Sequence, residues 1–411
     1  LVLFCRPARD VLPHPAACLV TGITPQRALE QGVCEAEFIA RIHDELAAPG
    51  TCGVGYNSIR FDDEVTRYTL YRNFYDPYAR EYRNGNSRWD IIDMVRLTHA
   101  LRPEGINWPL REDGLASFRL EELTAANGIE HGDAHDALAD VHATIELARL
   151  IRERQPRLFE HVVSHRDKRS ALDMLNTAEM KPVLHVSGMF GAARHNIALI
   201  APICPHPVNG NEIICYDLSV DPAPLAELDA DGIRQRLFAS SDDLPEGEQR
   251  PGIKTVRVNR SPVLLTPKLL DETNAGRLGI DGAACRENLA RLRSMNTLAG
   301  TLQAVYSGRP EREEANPDCM LYSGGFFSDD DRRAMDELRA TPPAELGSSN
   351  FGFEDARLPE MLFRYRARNY PETLTPEEQE EWEVFRFAWL TDPEAGASIC
   401  LEEYQAEIEQ R

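Results

Sequence analysis

Gly132-Asp133-Ala134-His135-Asp136-Ala137-Leu138-Ala139-Asp140-Val141 sets a histidine and an aspartate five residues apart. From Asp136 onward the apolar residues Leu138, Val141, Ile145, Ala148 and Ile151 recur at steps of three and four, which predicts a helix with one buried face. His135 then stands on the loop before the helix, Asp136 is suited to cap it, and Asp140 lies one turn inside. Ala134, Ala137, Ala139 and Ala143 are small enough to let backbone or a ligand approach the Asp140 carboxylate. By itself this spacing describes equally a capped helix bearing a surface His and a surface Asp. It acquires chemistry only through partners elsewhere in the chain.

Working outward, the residues before this helix alternate between strand and helix. Leu1 to Cys5 reads as a strand, Thr21-Gly22-Ile23-Thr24-Pro25 as a turn into a short helix, and Phe38, Ile39, Ile42 and Leu46 as the core face of another. Thr51 to Gly55 reads as a short buried strand that runs into Tyr56-Asn57-Ser58-Ile59-Arg60-Phe61-Asp62. Loops at the carboxyl ends of strands are where α/β sheets bind ligands. Asp62, Asp63 and Glu64 open a helix, and acidic residues there also suit its dipole. Trp89 to Asp93 turns into a helix through Leu101, an irregular loop carries Trp108, and a helix beginning near Ser117 stops at Asn127-Gly128. Residues 1–155 therefore form an α/β domain.

After Pro156 the texture changes. A helix over His161 to Ala178 precedes short strands rich in Val, Ser and Gly, the strand Glu212 to Leu218, and a β pair formed by Lys254 to Val258 with Pro262 to Leu265. Residues 156–306 read as a small β-barrel domain with helical insertions. Ser307 to Pro317 reads as a linker, and residues 307–411 as an all-α domain with helices from Ser328, over Leu358 to Arg368, over Pro376 to Trp389 and from Ile399 onward.

The 411 residues carry a net charge of −22 and 42% apolar residues, enough for ordinary cores. No run approaches the roughly 18 apolar residues of a membrane span, and no signal-peptide pattern opens the chain, so a cytoplasmic location is expected. The nine cysteines are scattered without metal-type spacing and are expected to be reduced. An acidic balance disfavours a polyanionic partner on average, yet a site that holds divalent cations needs clustered carboxylates.

Asn57, Asp62, His135 and Asp140 together suit phosphodiester hydrolysis. Two Mg²⁺ ions held about 4 Å apart by carboxylates neutralise phosphate oxygens, activate water and stabilise the leaving oxygen. Asp oxygens suit Mg²⁺ or Mn²⁺, and a histidine titrating near neutrality can accept the proton of the attacking water.

Asn57-x3-Phe61-Asp62 followed by His135-x4-Asp140 resembles the second and third motifs of the DEDDh 3′→5′ exonucleases, which have a ribonuclease-H-like α/β fold. Longer stretches are similar to the bacterial exodeoxyribonuclease I family: Val54 to Asn57 with Phe61 to Arg67, Tyr71 to Tyr78, Leu101 to Pro109, Met180-Lys181-Pro182, His185 to Gly191, and Tyr365 to Asn369. The resemblance spans all three segments and implies an exonuclease domain, an SH3-like β-barrel domain and an all-α C-terminal domain. These would form a clamp on single-stranded DNA that releases 5′-mononucleotides in repair and recombination. It implies Asp62 and Asp140 as metal ligands, His135 as general base, and two Mg²⁺ ions, with Mn²⁺ as an alternative. Substrate contacts would come from Asn57, Arg60, Phe61, Trp108, Phe118, Arg119, Thr21 and Ile23, with Arg366 and Arg368 as backbone contacts, because aromatic faces stack on bases and Arg pairs with phosphate. Core packing is the competing account of Trp108 and Phe118, a plain helix start that of the Thr21 turn, and a solvated helix face that of Arg366 and Arg368. The expected partners are single-stranded DNA and the acidic tail of single-stranded DNA-binding protein, with Arg257, Arg260 and Lys268 as candidate docking residues and a monomer as the expected state.

The pattern departs from the family in one respect. No Asp-x-Glu in a strand setting precedes Asp62, and the chain opens where the family's third strand would lie. The expectation is a fragment cut at both ends, with exposed apolar surface, an open sheet edge, poor stability and no turnover. A non-catalytic clamp for single-stranded DNA or protein, and a ribonuclease of the same superfamily, are the alternative readings.

Overall fold

The nine-residue run Ile197–Pro205, apolar along its length and carrying three isoleucines, lies at the centre of the main sheet of the computed structural model, which describes residues 1–132, 137–240, 244, 249–307 and 314–410. Five antiparallel strands, β3 (Val183–Val186), β4 (Ile197–Pro205), β5 (Glu212–Asp217), β6 (Ile253–Arg257) and β7 (Val263–Leu265), follow the spatial order β6-β5-β4-β3-β7. Every residue of β3 and β5 is buried, so their sequences read as apolar runs and not as alternation. Pro202 stands where the β4–β5 register shifts, a place where a missing N–H costs no ladder bond. The expected pairing of Lys254–Val258 with Pro262–Leu265 is corrected here. β6 and β7 lie at opposite ends of the sheet, because β6 pairs with β5 and β7 with β3.

The segment before this sheet holds α1 (Pro15–Thr21), α2 (Pro25–Gln31), α3 (Glu35–Ala47), β1 (Cys52–Gly55), α4 (Asp62–Arg72), β2 (Ser87–Asp90), α5 (Ile92–Leu101), α6 (Leu120–Ala126) and α7 (Ala137–Arg154). β1 and β2 run parallel, Cys52 opposite Ser87 and Gly55 opposite Asp90, with α4 as the crossover that parallel pairing requires. Leu1 to Cys5 is not a strand of this sheet: it makes a single parallel bridge, Cys5 to Val33. The helix expected over His161 to Ala178 is two, α8 (Pro156–Ser164) and α9 (Lys168–Met174), because Asp167 accepts from the N–H groups of Arg169 and Ser170 and starts a new helix.

α7 corrects a second expectation. Its buried residues are Ala143, Thr144, Leu147 and Ile151, whereas Leu138, Val141 and Ile145 are 45%, 54% and 41% exposed. The periodicity contains two apolar stripes, and α6 and α8 cover only the one nearer the carboxyl end. Val54 of β1, expected to be buried, is 53% exposed as well.

The middle segment is completed by α10 (Ala230–Phe238), α11 (Glu272–Arg277), α12 (Gly282–Ser294) and α13 (Leu298–Ser307), and the last segment consists of α14 (Asp329–Ala340), α15 (Arg357–Asn369), α16 (Pro376–Thr391) and α17 (Leu401–Glu409). Ser328 caps α14, and Thr375 with Glu378 forms a capping box on α16. One apolar core joins Trp89, Met94 and Leu97 of the first segment to Val186, Ile203 and Leu265 of the second. Another joins Tyr71 and Phe74 to Met335, Leu358, Met361 and Tyr365 of the third. The strand β2 and the helix α5 are thus held by the first core and α4 by the second. All nine cysteines are free.

Candidate active site

The loop after β1 begins with a close approach. A Cβ on Gly55 would lie 2.5 Å from that of Ser58, so the position tolerates no side chain. Asn57 follows in the left-handed region at φ 59°, a conformation Asn tolerates better than most residues. The turn is then pinned from β2: the Asp90 carboxylate accepts the backbone N–H groups of Asn57 at 2.8 Å, Ile59 at 3.2 Å and Ile92 at 3.0 Å. Burial pushes Asp90 up, and those three N–H groups pull the other way. Sequence reading missed Asp90. Its signal was an Asp at the carboxyl end of a strand, directly before a helix.

So held, the loop presents Asn57, Arg60, Phe61 and Asp62 together on the surface, with Phe61 68% exposed. Asp62 is the first residue of α4. Burial, with the carboxylates of Asp63 and Asp140 adding repulsion, pushes it above the usual carboxylate range. Asp140, on the first turn of α7, is near enough to add to that repulsion. Its Oδ1 lies 2.8 Å from Nε2 of His131, and Nδ1 of that ring lies 3.1 Å from the Thr124 hydroxyl. His131 is nearly buried and has both ring nitrogens engaged, so it orients Asp140 and is not a free base. It too was missed, since only the histidine nearer the helix matched a motif. His135 itself lies outside the described residues.

The other expected contacts divide. Trp108 donates from Nε1 to the Pro103 carbonyl at 2.9 Å, and both Trp108 and Phe118 are half-buried against His99, at 5.0 and 5.5 Å between ring centroids. Burial, with His195 and Arg277 adding repulsion, pushes His99 down to about 4. The packing account of the two aromatics is thus the one the geometry carries. Arg119 is exposed and 3.5 Å from Glu122. Thr21 ends α1, where its hydroxyl donates to the Ala17 carbonyl at 2.8 Å, and the next helix is capped by Thr24 through the Arg27 N–H.

Arg366 and Arg368 do not reach a surface strand. Arg366 is buried and donates to both oxygens of Glu378, at 2.6 and 2.9 Å, and Arg368 bridges Asp10 at 2.8 Å and Asp318 at 2.7 Å. A guanidinium buried against carboxylates is turned away from solvent and already charge-paired, so it is poorly placed to meet a phosphate. Arg257 and Arg260 are likewise engaged, with Glu212 at 2.7 Å and Glu64 at 3.0 Å.

The donor set answers whether a cation fits. Two carboxylates that repel across one space suit a divalent ion, and Asp oxygens suit Mg²⁺ or Mn²⁺. Among the described residues, however, no group of three or more His, Cys, Asp or Glu converges to hold a metal. Asp62 and Asp140 fit part of one coordination shell and do not by themselves fill two.

With this geometry fixed, the similarities to known proteins are specific. Residues 1–148 match the Exonuclease family, residues 166–308 the Exonuclease I SH3-like domain, and residues 315–411 the Exonuclease I C-terminal domain. Exodeoxyribonuclease I of Escherichia coli strain K12 is 49% identical over 382 residues, 93% of this chain and 80% of the relative. The chain belongs to the exodeoxyribonuclease I family.

Solved structures of the family have the same architecture. A moderately thermophilic exonuclease I from Methylocaldum szegediense is 54% identical with a TM-score of 0.95, covering 100% of this chain and 86% of that one. E. coli exonuclease I in complex with a dA16 oligonucleotide is 47% identical with a TM-score of 0.94 at the same coverage. A structure described as SSB/Exonuclease I in complex with an inhibitor is 46% identical with a TM-score of 0.90, covering 100% of this chain and 85% of that one. The exonuclease, SH3-like and helical parts expected of the family are present in that order. No helix among the described residues is long and apolar enough to cross a membrane.

Proposed function

We propose that this protein is a 3′→5′ exonuclease that removes 5′-mononucleotides from single-stranded DNA, with Asp62 and Asp140 as ligands of a divalent cation. The observation that carries this reading is the match to the family along all three segments, with Asp140 near enough to Asp62, on the exposed Asn57–Asp62 loop, to repel it. A divalent cation bound there supplies charge neutralisation at the scissile phosphate and an acidified water. Asp90 fixes the loop, His131 orients Asp140, and Phe61 offers a face on which a base can stack without sequence preference. His135 is assigned the role of general base on the strength of the family resemblance.

A two-ion site uses more than two carboxylates, so Asp62 and Asp140 are read as part of the set. Residues 1–411 are accordingly expected to bind single strands while releasing mononucleotides slowly or not at all; a non-catalytic clamp is the second reading that the same donor count favours. Fluorescence anisotropy with a labelled oligonucleotide, followed by Mg²⁺-dependent release from its 3′ end, tests both parts. Absence of single-strand binding removes the proposed function. Processive release by this chain removes the partial-site reading.

The second partner is assigned by chemistry. A cleft of about 500 Å³ is bounded by Leu101, Arg102, Pro156, Arg157, Leu158 and Leu269. Among the described residues neither of its arginines forms an ion pair, and the exposed Lys268 adjoins it. Cations around an apolar floor suit the acidic tail of single-stranded DNA-binding protein, and Arg102 and Arg157 replace the engaged Arg257 and Arg260 as the expected docking residues.

A further inference from the structure

The start of α4 lacks the usual device for fixing a helix end. Phe61, the residue before it, provides no side-chain cap, and its ring is mostly in solvent. The first turn is instead held by the two carboxylates that follow Asp62. Asp63 is buried and bridges Arg80 at 2.8 Å and Arg88 at 2.7 Å. Arg88 extends the tie into the second segment, donating to the Asn259 carbonyl at 2.9 Å and accepting at its own carbonyl from the Ser261 hydroxyl at 2.9 Å.

Glu64 reaches further. It accepts from Arg67 of its own helix at 3.1 Å, from Arg260 of the second segment at 3.0 Å, and from the Tyr322 hydroxyl of the third. Arg67 also donates to that hydroxyl at 3.2 Å. All three segments therefore meet at a carboxylate two residues from Asp62. Residues two apart on an α-helix project about 200° from one another. Glu64 and Asp62 thus lie on opposite sides of the same first turn, and partners that hold one bear on the rotation of the turn that carries the other.

Stability alone is a weak reason for this arrangement, because desolvating charged groups at a seam consumes most of what their pairing returns. We propose that Glu64, Arg260 and Tyr322 are positioning residues for Asp62, so that Asp62 is aimed at the cation only when the second and third segments are docked on α4. The inference rests on the reading of Asp62 as a metal ligand and adds the residues that aim it.

Mn²⁺ binding to the 411-residue chain, followed by loss of the free-ion paramagnetic resonance signal with Asp62→Asn as the blank, tests it. Arg260→Ala combined with Tyr322→Phe is expected to weaken the Asp62-dependent binding about tenfold, the low end of what partners outside the ligand shell cost. Arg260→Lys is expected to retain most of the affinity, since an ammonium still reaches a Glu64 oxygen. Tyr322→Phe alone removes one hydroxyl from a half-exposed ring, leaves the fold intact, and is expected to weaken binding in the same direction. Unchanged Mn²⁺ affinity in folded variants, with or without a lower melting temperature, overturns the inference and leaves a purely structural seam. If the unsubstituted chain binds no Mn²⁺ through Asp62, the ligand assignment itself fails and takes the positioning role with it.

Discussion

Asp62 sits against its own electrostatic interest. Partial burial and two neighbouring carboxylates raise its affinity for a proton in the folded chain, so between the ordinary carboxylate value and its raised value the folded state binds more protons than the unfolded one. Stability then falls as pH rises through that window, and at neutral pH the charge is a net liability until a cation answers it. Asp62→Asn is expected to be stabilising at pH 7 by up to about 0.5 kcal/mol, the usual range for a solvent-facing position, and neutral below the carboxylate range. Urea unfolding at both pH values measures this; a loss of stability at pH 7 would contradict the geometry. At this scale the sequence exposed what sits in a motif and hid what acts through space. Asp62 and Asp140 stood out because their motifs resemble a known family. Asp90 and His131 did not, because the Asn57 N–H and the Asp140 carboxylate that they serve lie 33 and 9 positions away. Arg366 and Arg368 were misread for the same reason: Asp10, which holds Arg368, is 358 positions distant, and a sequence cannot distinguish a buried guanidinium from a solvated one.

Among the elements, α7 distinguishes a periodicity from a burial. Its sequence carries two stripes of apolar residues, and the neighbours decide which one is covered. Leu147 is fully buried against α6 and α8, and Leu147→Ala is expected to cost about 2–5 kcal/mol. Val141, 54% exposed on the other stripe, should tolerate Val141→Ser within about 0.5 kcal/mol. Thermal or urea denaturation of the two variants checks the contrast, and equal costs would mean that something covers the second stripe in solution. Helices were legible where caps and stops were local, as with Thr24 and Ser328, but the Asp167 cap inside an apolar-periodic stretch was passed over. Strand pairing was not, because the order β6-β5-β4-β3-β7 depends on contacts that sequence neighbourhood does not encode: β6 and β7 are consecutive in the chain and yet lie at opposite ends of the sheet.

At the scale of the whole molecule, the segments are joined by buried groups that acid attacks in sequence. His185 is enclosed between β3 and β7 and close to Lys254, and burial with that positive neighbour pushes it down to about 3; His99, at the seam of the first two segments, is pushed down to about 4. A histidine held neutral in the folded state binds fewer protons than it does unfolded, so stability falls as pH drops below the ordinary value of 6.5 towards the folded values. At pH 5 that difference amounts to about 2 kcal/mol for His185 alone. The carboxylates follow at lower pH. Burial pushes Asp318 up, but Arg368 and Arg364 beside it hold its carboxyl below the usual range, and Arg88 and Arg80 do the same for Asp63. Their contribution is present above the ordinary carboxylate value and is lost as pH falls from there towards their depressed folded values. Acid unfolding is therefore expected to proceed in two stages: a first loss that begins below pH 6.5 and runs towards pH 4, carried by the histidines, and a steeper one below about 4 when the seam carboxylates join it. His99→Phe, which keeps a ring against Trp108 and Phe118, should flatten the first stage and leave the second in place. Melting temperatures from pH 8 to pH 3.5 for the two proteins decide it, since a first stage of unchanged slope in His99→Phe would mean that the seam histidine is already solvated when the molecule begins to open.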